Sequence, residues 1–347
     1  MESAKEFEAQ PSRATVLVTG IGGYLASHIG LDLVRRGCRV RGSLRSLSRA
    51  EPLLRAIRAQ PGADRAVIEF FEAQLIREEG WQRAIAGCDY VVHAASPFPA
   101  VQPKNQDELI GPARDGTLRV LRHARAAGAR RVVMTSSLVA TNYGPEPPPH
   151  TEEHWTDIAN PRCTPYHRSK TLAEQAAWRY SREQGLELAV INPGLILGPA
   201  LLAECGTSVD MVLQLLRGKV PATPKMDLAV VDVRDVAEAH WSAMVLPAAA
   251  GQRFVTGGHY LRFIRIAEML REAYPAYRRR LPRREIPDAL VRLLARFDPR
   301  LRTIVGELGR DGRISNEKAR RVLGWVPRPV SETVRDTARS LIDLQLI

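Results

Sequence analysis

Tyr166 and Lys170 stand four residues apart in a stretch patterned as a helix, so a phenol and an ammonium share one helical face, one turn apart. A free tyrosine holds its proton to about pH 10, and a nearby cation favours the phenolate, which makes the pair usable as a general acid and base. The helix is signalled locally. Thr164 is a good N-cap, Pro165 suits the first helical position, Leu172, Ala173, Ala176, Ala177 and Tyr180 form an apolar stripe, and Gly185 marks the stop. A packed tyrosine beside a solvated lysine has the same spacing, so other residues must decide between the two readings.

The second chemical signal lies at the start of the chain. Ala14 to Thr19 is a β-branched run that reads as a buried strand, and it feeds into Gly20-Ile21-Gly22-Gly23-Tyr24-Leu25-Ala26, followed by a helical stripe through Leu31 and Val34 to Gly37. At Gly20, Gly23 and Ala26 the spacing allows a tight turn, close approach of backbone to a pyrophosphate, and close helix–strand packing. A second strand over Arg39 to Leu44 ends at Arg45, and no Asp or Glu lies between Gly37 and Ala50. In dinucleotide folds a carboxylate here holds a ribose 2′-hydroxyl, whereas an arginine suits a 2′-phosphate, so Arg45 points to NADPH. Arg41 and Arg49 are read as less well placed.

These groups need a scaffold, and the rest of the chain supplies one. Strands are expected over Ala66 to Phe71, Asp89 to His93 and Arg131 to Thr135, with helices over Gly80 to Ala86 and Asn105 to Ala127 between them. Such alternation predicts an α/β fold with a doubly wound parallel sheet. The fourth strand ends in Ala94-Ala95-Ser96-Pro97-Phe98, small residues that would let a flat ring lie at the carboxyl edge of the sheet. The fifth ends in Ser136-Ser137, 29 residues before Tyr166, across a proline-rich loop (Pro145, Pro147, Pro148, Pro149) that could wall the site.

Composition narrows the class. The chain has 347 residues, 45% apolar and 25% charged, enough for one large or two medium domains of a soluble globular protein. The most apolar run, Leu188 to Ala203, is broken by Asn192, Pro193, Gly194, Gly198 and Pro199, so no membrane span is expected. Residues 1–12 read as a loose tail with no signal-peptide pattern. Cys38, Cys88, Cys163 and Cys205 lie far apart, which argues against zinc and disulfides and for a cytoplasmic location. The net charge of +12 comes from dispersed arginines without interleaved aromatics; it suits anionic small molecules better than nucleic acid.

Together, the glycine turn, Ser137, Tyr166 with Lys170, and the run Ser169-Lys170-Thr171-Leu172-Ala173-Glu174-Gln175-Ala176-Ala177-Trp178 resemble the extended short-chain dehydrogenase/reductases, and within them the dihydroflavonol 4-reductase and cinnamoyl-CoA reductase group with its bacterial aldehyde and ketone reductases. Further matches are His93 to Phe98, Asn192-Pro193-Gly194 and Val231 to His240, and the likeness runs from about Thr15 to Trp325.

The resemblance implies a Rossmann-type domain over 13–195 and 226–258, and a smaller substrate-binding domain over 196–225 and 259–347. Leu228 to Val233 and Arg253 to Thr256 would then add strands to the large sheet, with the cleft drawing on Met211, Leu215, Pro221 and Phe263, each of which suits ordinary core packing at least as well. Ser137 would bind the substrate oxygen, Tyr166 would donate the proton, and Lys170 would hold the nicotinamide ribose and lower the Tyr166 pKa; Ser136 is left as a backbone or packing residue. On the cofactor side stand Gly20, Gly22, Gly23, Tyr24, Leu25, Arg45, Leu75, Ala94, Ala95, Ser96, Pro193, Gly194 and Leu195, with Ser208 near phosphate. Asn142 falls where plant reductases keep a substrate-contacting asparagine, and is equally plausible as a turn residue. One departure is Gln74, where relatives carry an aspartate that caps the adenine; an amide can still donate and accept there.

The implied function is NADPH-dependent reduction of a hydrophobic, aryl-bearing ketone or aldehyde to an alcohol, by a monomer or homodimer. Two alternatives share the fold. A nucleotide-sugar epimerase or dehydratase would retain bound NAD, which Arg45 opposes; a non-catalytic NADPH-sensing regulator has no need of Ser137, Tyr166 and Lys170 together. The natural substrate, its stereochemistry and the physiological direction are not legible in the residues.

Overall fold

Short β-branched runs and amphipathic stripes alternate along the chain, and each becomes a strand or helix close to its expected position. The computed structural model describes residues 13–97 and 105–347; the expected tail at 1–12 and Phe98 fall outside the described residues. The first half runs β1 Thr15–Val18, α1 Tyr24–Arg35, β2 Arg39–Leu44, α2 Ala50–Arg58, β3 Ile68–Glu72, α3 Trp81–Ile85, β4 Tyr90–His93, α4 Asp107–Ala126, β5 Arg131–Thr135, α5 Pro165–Gln184 and β6 Glu187–Pro193. The second half continues with β7 Leu195–Leu197, α6 Gly206–Leu216, β8 Thr223–Pro224, β9 Asp227–Asp232, α7 Val233–Val245, β10 Arg253–Thr256, β11 His259–Arg262 and α8 Phe263–Ala273. It closes with β12 Glu285–Ile286, α9 Asp288–Leu294, α10 Pro299–Ile304, α11 Glu317–Leu323 and α12 Val330–Asp343.

Seven strands form one parallel sheet in the order β10-β6-β5-β4-β1-β2-β3. The order reverses between β1 and β4, which opens a crevice at their carboxyl ends. Both faces are covered, and the period of two along β1 shows how: Val16 and Val18 enter the core shared with α1, α2 and α7, whereas Leu17 enters the core shared with α3, α4 and α5. A third apolar cluster joins α6, α8 and α12 through Val209, Val212, Leu216, Ile266, Leu270, Val334 and Leu341.

One expected pairing is corrected. Arg253–Thr256 does extend the large sheet, pairing with β6, but the strand at Asp227–Asp232 does not. It pairs in parallel with β7, Leu195 opposite Val230, and antiparallel with β11, His259 opposite Val230. The open edge of β6 is already taken by β10, so β9 is left to build a separate three-stranded sheet. Leu215 and Phe263, expected at the cleft, are buried in the third cluster, with Met211 packed against it; Pro221 lies in an arginine-lined cavity of 600 Å³ elsewhere. Among the described residues no helix is long and apolar enough to cross a membrane, and the four cysteines are buried and unbridged.

Candidate active site

Helix α5 carries both Tyr166 and Lys170. Its first turn is closed by a reciprocal cap, with the Thr164 N–H donating to His167 Nδ1 at 3.1 Å and the Thr164 side chain facing the same turn. Gly185, at φ +66, ends it. Between these limits Tyr166, Lys170 and Glu174 recur at one-turn intervals on a single face.

Ser137 comes to this face from the end of β5. Its backbone is extended, φ −161, and it caps a single 3-10 turn at Leu138–Ala140, its Oγ 3.4 Å from the Val139 N–H. The Ser137 hydroxyl hydrogen-bonds the Tyr166 phenol. Burial nevertheless dominates, pushing Tyr166 up to about 12, with the Ser137 bond only partly offsetting it. The net shift is therefore upward, where the resemblance implied a lowered Tyr166 pKa; Lys170 is itself buried and pulled down to about 8, with Glu174 acting in the opposite sense. The phenol is thus fully protonated at neutral pH, a proton donor rather than a resting base.

The glycine turn fits a dinucleotide. Gly20 adopts φ +61, and the Cβ of any other residue there would fall 3.0 Å from the Ala95 Cβ; one at Gly22 would meet Leu44 Cδ2 at 3.0 Å. Gly23 donates to the Gly20 carbonyl at 2.8 Å and starts α1 without any side-chain cap, which leaves the first N–H groups of the helix for an anion. The Tyr24 hydroxyl is spent on the Gly198 carbonyl at 2.9 Å, so Tyr24 faces the turn through its backbone alone; Leu25 packs against the first core. Ala94, Ala95 and Ser96 are half-buried along the β4 end, and the Ala95 N–H donates to Thr19 Oγ1 at 3.0 Å.

Other expected residues spread around this crevice. Arg45 is exposed just beyond β2, and its carbonyl accepts the Gln74 amide at 3.3 Å. Gln74 also lines an open cavity of 550 Å³ with Leu47, Phe71, Arg77 and Arg83. Arg49 is ion-paired with Glu204, and Leu75 packs against the bare Cα of Gly116, where a Cβ would come within 2.8 Å. Pro193, Gly194 and Leu195 join β6 to β7; a Cβ at Gly194 would strike the Ala229 carbonyl oxygen at 2.1 Å. Ser208 lies in the first turn of α6, whose Gly206 adjoins Tyr24. Asn142 is buried, its backbone carbonyl accepting from Arg310 at 2.8 Å and its amide set between the Leu138 carbonyl and Arg310 at 3.1 and 3.2 Å. Those contacts support its local turn.

Several polar residues were not singled out from the sequence. His93 is fully buried between Thr19 Oγ1 at 3.0 Å and Thr117 Oγ1 at 3.1 Å, close enough to Lys170 to feel its charge; burial holds it neutral, down to about 3. Glu174 accepts the Ser136 hydroxyl at 2.6 Å, so Ser136 is a hydrogen-bonding residue and more than packing. A carboxylate one turn past Lys170, inside an alanine-rich stripe, was the signal for this network.

The NAD dependent epimerase/dehydratase family matches residues 16–257. Cinnamoyl-CoA reductase 1 of Arabidopsis thaliana is 35% identical over 274 residues, 78% of this chain and 77% of that protein. Ketoreductase azaE of Aspergillus niger is 31% identical, covering 94% of this chain and 97% of that protein. In fold, the chain is similar to the yeast methylglyoxal/isovaleraldehyde reductase Gre2 complexed with NADPH, with a TM-score of 0.77 at 24% identity over 95% of this chain and 99% of that one. A glycine turn, a serine–tyrosine pair and a buried lysine gathered at the reversal point of a parallel sheet, with these matches, mean that the chain belongs to the NAD dependent epimerase/dehydratase family, on its extended short-chain dehydrogenase/reductase branch.

Proposed function

We propose that this protein is an NADPH-dependent carbonyl reductase that converts a hydrophobic, aryl-bearing ketone or aldehyde to the alcohol. The observation that carries the reading is the Ser137 hydroxyl bonded to a protonated, half-buried Tyr166, one turn ahead of the buried Lys170. NADPH, when bound, supplies the hydride. The uncapped start of α1 with Gly20, Gly22 and Gly23 would hold its pyrophosphate, Arg45 its 2′-phosphate, Lys170 its nicotinamide ribose, and Leu75, Gln74, Ala94, Ala95, Ser96, Pro193, Gly194, Leu195 and Ser208 its flanks.

Ser137 donates a hydrogen bond to the substrate oxygen and orients it toward Tyr166. Tyr166 gives its phenolic proton to that oxygen as negative charge develops there. Lys170 places a cation behind the phenol and stabilises the phenolate left by proton transfer. The residues over 196–225 and 259–347 form the substrate-binding part and those over 13–195 and 226–258 the cofactor-binding part, although β9 pairs in the small sheet with β7 and β11. The aryl preference is supported by the relative whose name specifies cinnamoyl-CoA. A cytoplasmic monomer or homodimer with no nucleic-acid partner completes the reading.

A panel of aryl ketones, aryl aldehydes, simple β-keto esters, cinnamoyl-CoA and a nucleotide sugar, each followed by NADPH absorbance and product analysis, tests it. Turnover of an aryl carbonyl with equal loss of NADPH is the expected result. Conversion of the nucleotide sugar without net NADPH loss, by protein that arrives with NAD bound, would assign it instead to the epimerases.

A further inference from the structure

We propose that Glu174 is a positioning residue of the reductase site: from beneath, it fixes the strand end that carries Ser137 and keeps the Lys170 ammonium in place. The proposal rests on the reductase reading of Ser137, Tyr166 and Lys170.

Glu174 is completely buried, one helical turn beyond Lys170. Its carboxylate gathers groups from several elements. The Ser136 hydroxyl after β5 donates to Oε2 at 2.6 Å, and Asn192 Nδ2 of β6 donates to the same oxygen at 2.8 Å. On Oε1, Trp178 Nε1 of α5 donates at 3.2 Å, and Arg253 Nε of β10 stands at 2.8 Å as an ion pair. Asn192 carries the contact onward, because Nδ2 also donates to the Ser137 carbonyl at 3.1 Å. One carboxylate therefore ties the ends of β5, β6 and β10 to the helix that bears Tyr166 and Lys170.

Arg253 is itself fixed on its outer side. Nη1 donates to the Glu152 and His154 carbonyls at 3.2 and 3.1 Å, and the guanidinium lies 3.8 Å from the centre of the Trp155 ring. A buried ion pair contributes little net stability compared with apolar residues of similar volume, because desolvation offsets the attraction. What it does supply is geometry, here at the hydroxyl that must meet the substrate.

It also supplies charge. Among the described residues, the titratable groups placed near Lys170 are Tyr166 and Glu174 on its own helix and His93 from β4, with Arg253 of β10 paired to the Glu174 carboxylate. Tyr166 and His93 are neutral at working pH, so Glu174 is the anion that offsets burial of the ammonium.

The test is the pH dependence of carbonyl reduction in Glu174→Gln and in Glu174→Gln/Arg253→Met, the latter leaving no unpaired guanidinium. In Glu174→Gln the alkaline fall of kcat should move down by about one pH unit, with kcat near pH 8 reduced about fivefold and KM for the carbonyl held, and in the double variant the fall should move in the same direction. A purely structural carboxylate would lower Tm and leave the alkaline limb where it is. If Glu174→Gln does not fold, the double variant gives the reading; a folded variant with the wild-type limb and kcat overturns the proposal. Failure of both to fold also overturns it, since the carboxylate would then serve the fold rather than the site. Wild-type protein that reduces no carbonyl would overturn the reductase reading instead, a separate and distinguishable result.

Discussion

A Cβ on residue 20 would come within 3.0 Å of the Ala95 Cβ and 3.3 Å of its Cα, so Gly20 and Ala95 hold the ends of β1 and β4 at the limit of approach. Gly20 also needs φ +61, where a side chain costs about 1 to 2 kcal/mol before any clash is counted. Gly20→Ala should therefore abolish measurable NADPH binding by fluorescence titration while leaving a folded circular-dichroism spectrum. Wild-type affinity in that variant would show that the cofactor does not approach this turn.

Removing the phenolic hydroxyl takes away the proton and nothing else of comparable size. Tyr166→Phe should keep cofactor affinity and lower kcat by about 100-fold or more, as for loss of a general acid. Near wild-type turnover at every pH would make Tyr166 a packing residue.

Lys170 sets the expected pH profile. Burial pulls its pKa from 10.5 down to about 8, so the ammonium is present below pH 8 and is lost as pH rises through that value. Activity that depends on the cation should fall on the alkaline side around pH 8. Stability should move the other way: between about 8 and 10.5 the unfolded chain binds the proton that the folded chain does not, so the Lys170 contribution to stability rises with pH. Rate profiles and thermal melts across pH 7 to 10 check both signs, and an activity plateau through pH 10 would contradict the assignment.

Arg45 stands exposed beyond β2, without a carboxylate in the neighbouring sequence to hold a 2′-hydroxyl. A charge-assisted bond to phosphate is worth about 1.5 to 3 kcal/mol, so Arg45→Ala should weaken NADPH roughly tenfold or more and leave NADH nearly unchanged. Parallel titrations decide it. Equal losses for the two cofactors would move the 2′-phosphate contact to another residue.

Local signals carried much of this protein. The Thr164 cap, Pro165 and Gly185 delimit α5 through backbone hydrogen bonding, and four-residue spacing is enough to align Tyr166 with Lys170. The Gly20 turn is equally local, because a positive φ and an uncapped helix start are properties of a few consecutive residues. Strand and helix order followed from hydrophobic period, and so did the parallel sheet.

What the tertiary structure alone decided depends on which groups lose water together. Asp227–Asp232 and Arg253–Thr256 are both apolar strands, and nothing in either says which one will occupy the edge of β6. In sequence Leu215 and Phe263 suit a cleft wall or a core alike, and only the cluster that joins α6, α8 and α12 puts them in the core. The upward shift of Tyr166 has the same origin: its spacing from Lys170 is visible in sequence, whereas the loss of water that raises its pKa is not. Glu174 shows the limit most clearly, since its partners Ser136, Asn192 and Arg253 come from three strands that only the folded sheet brings to one carboxylate.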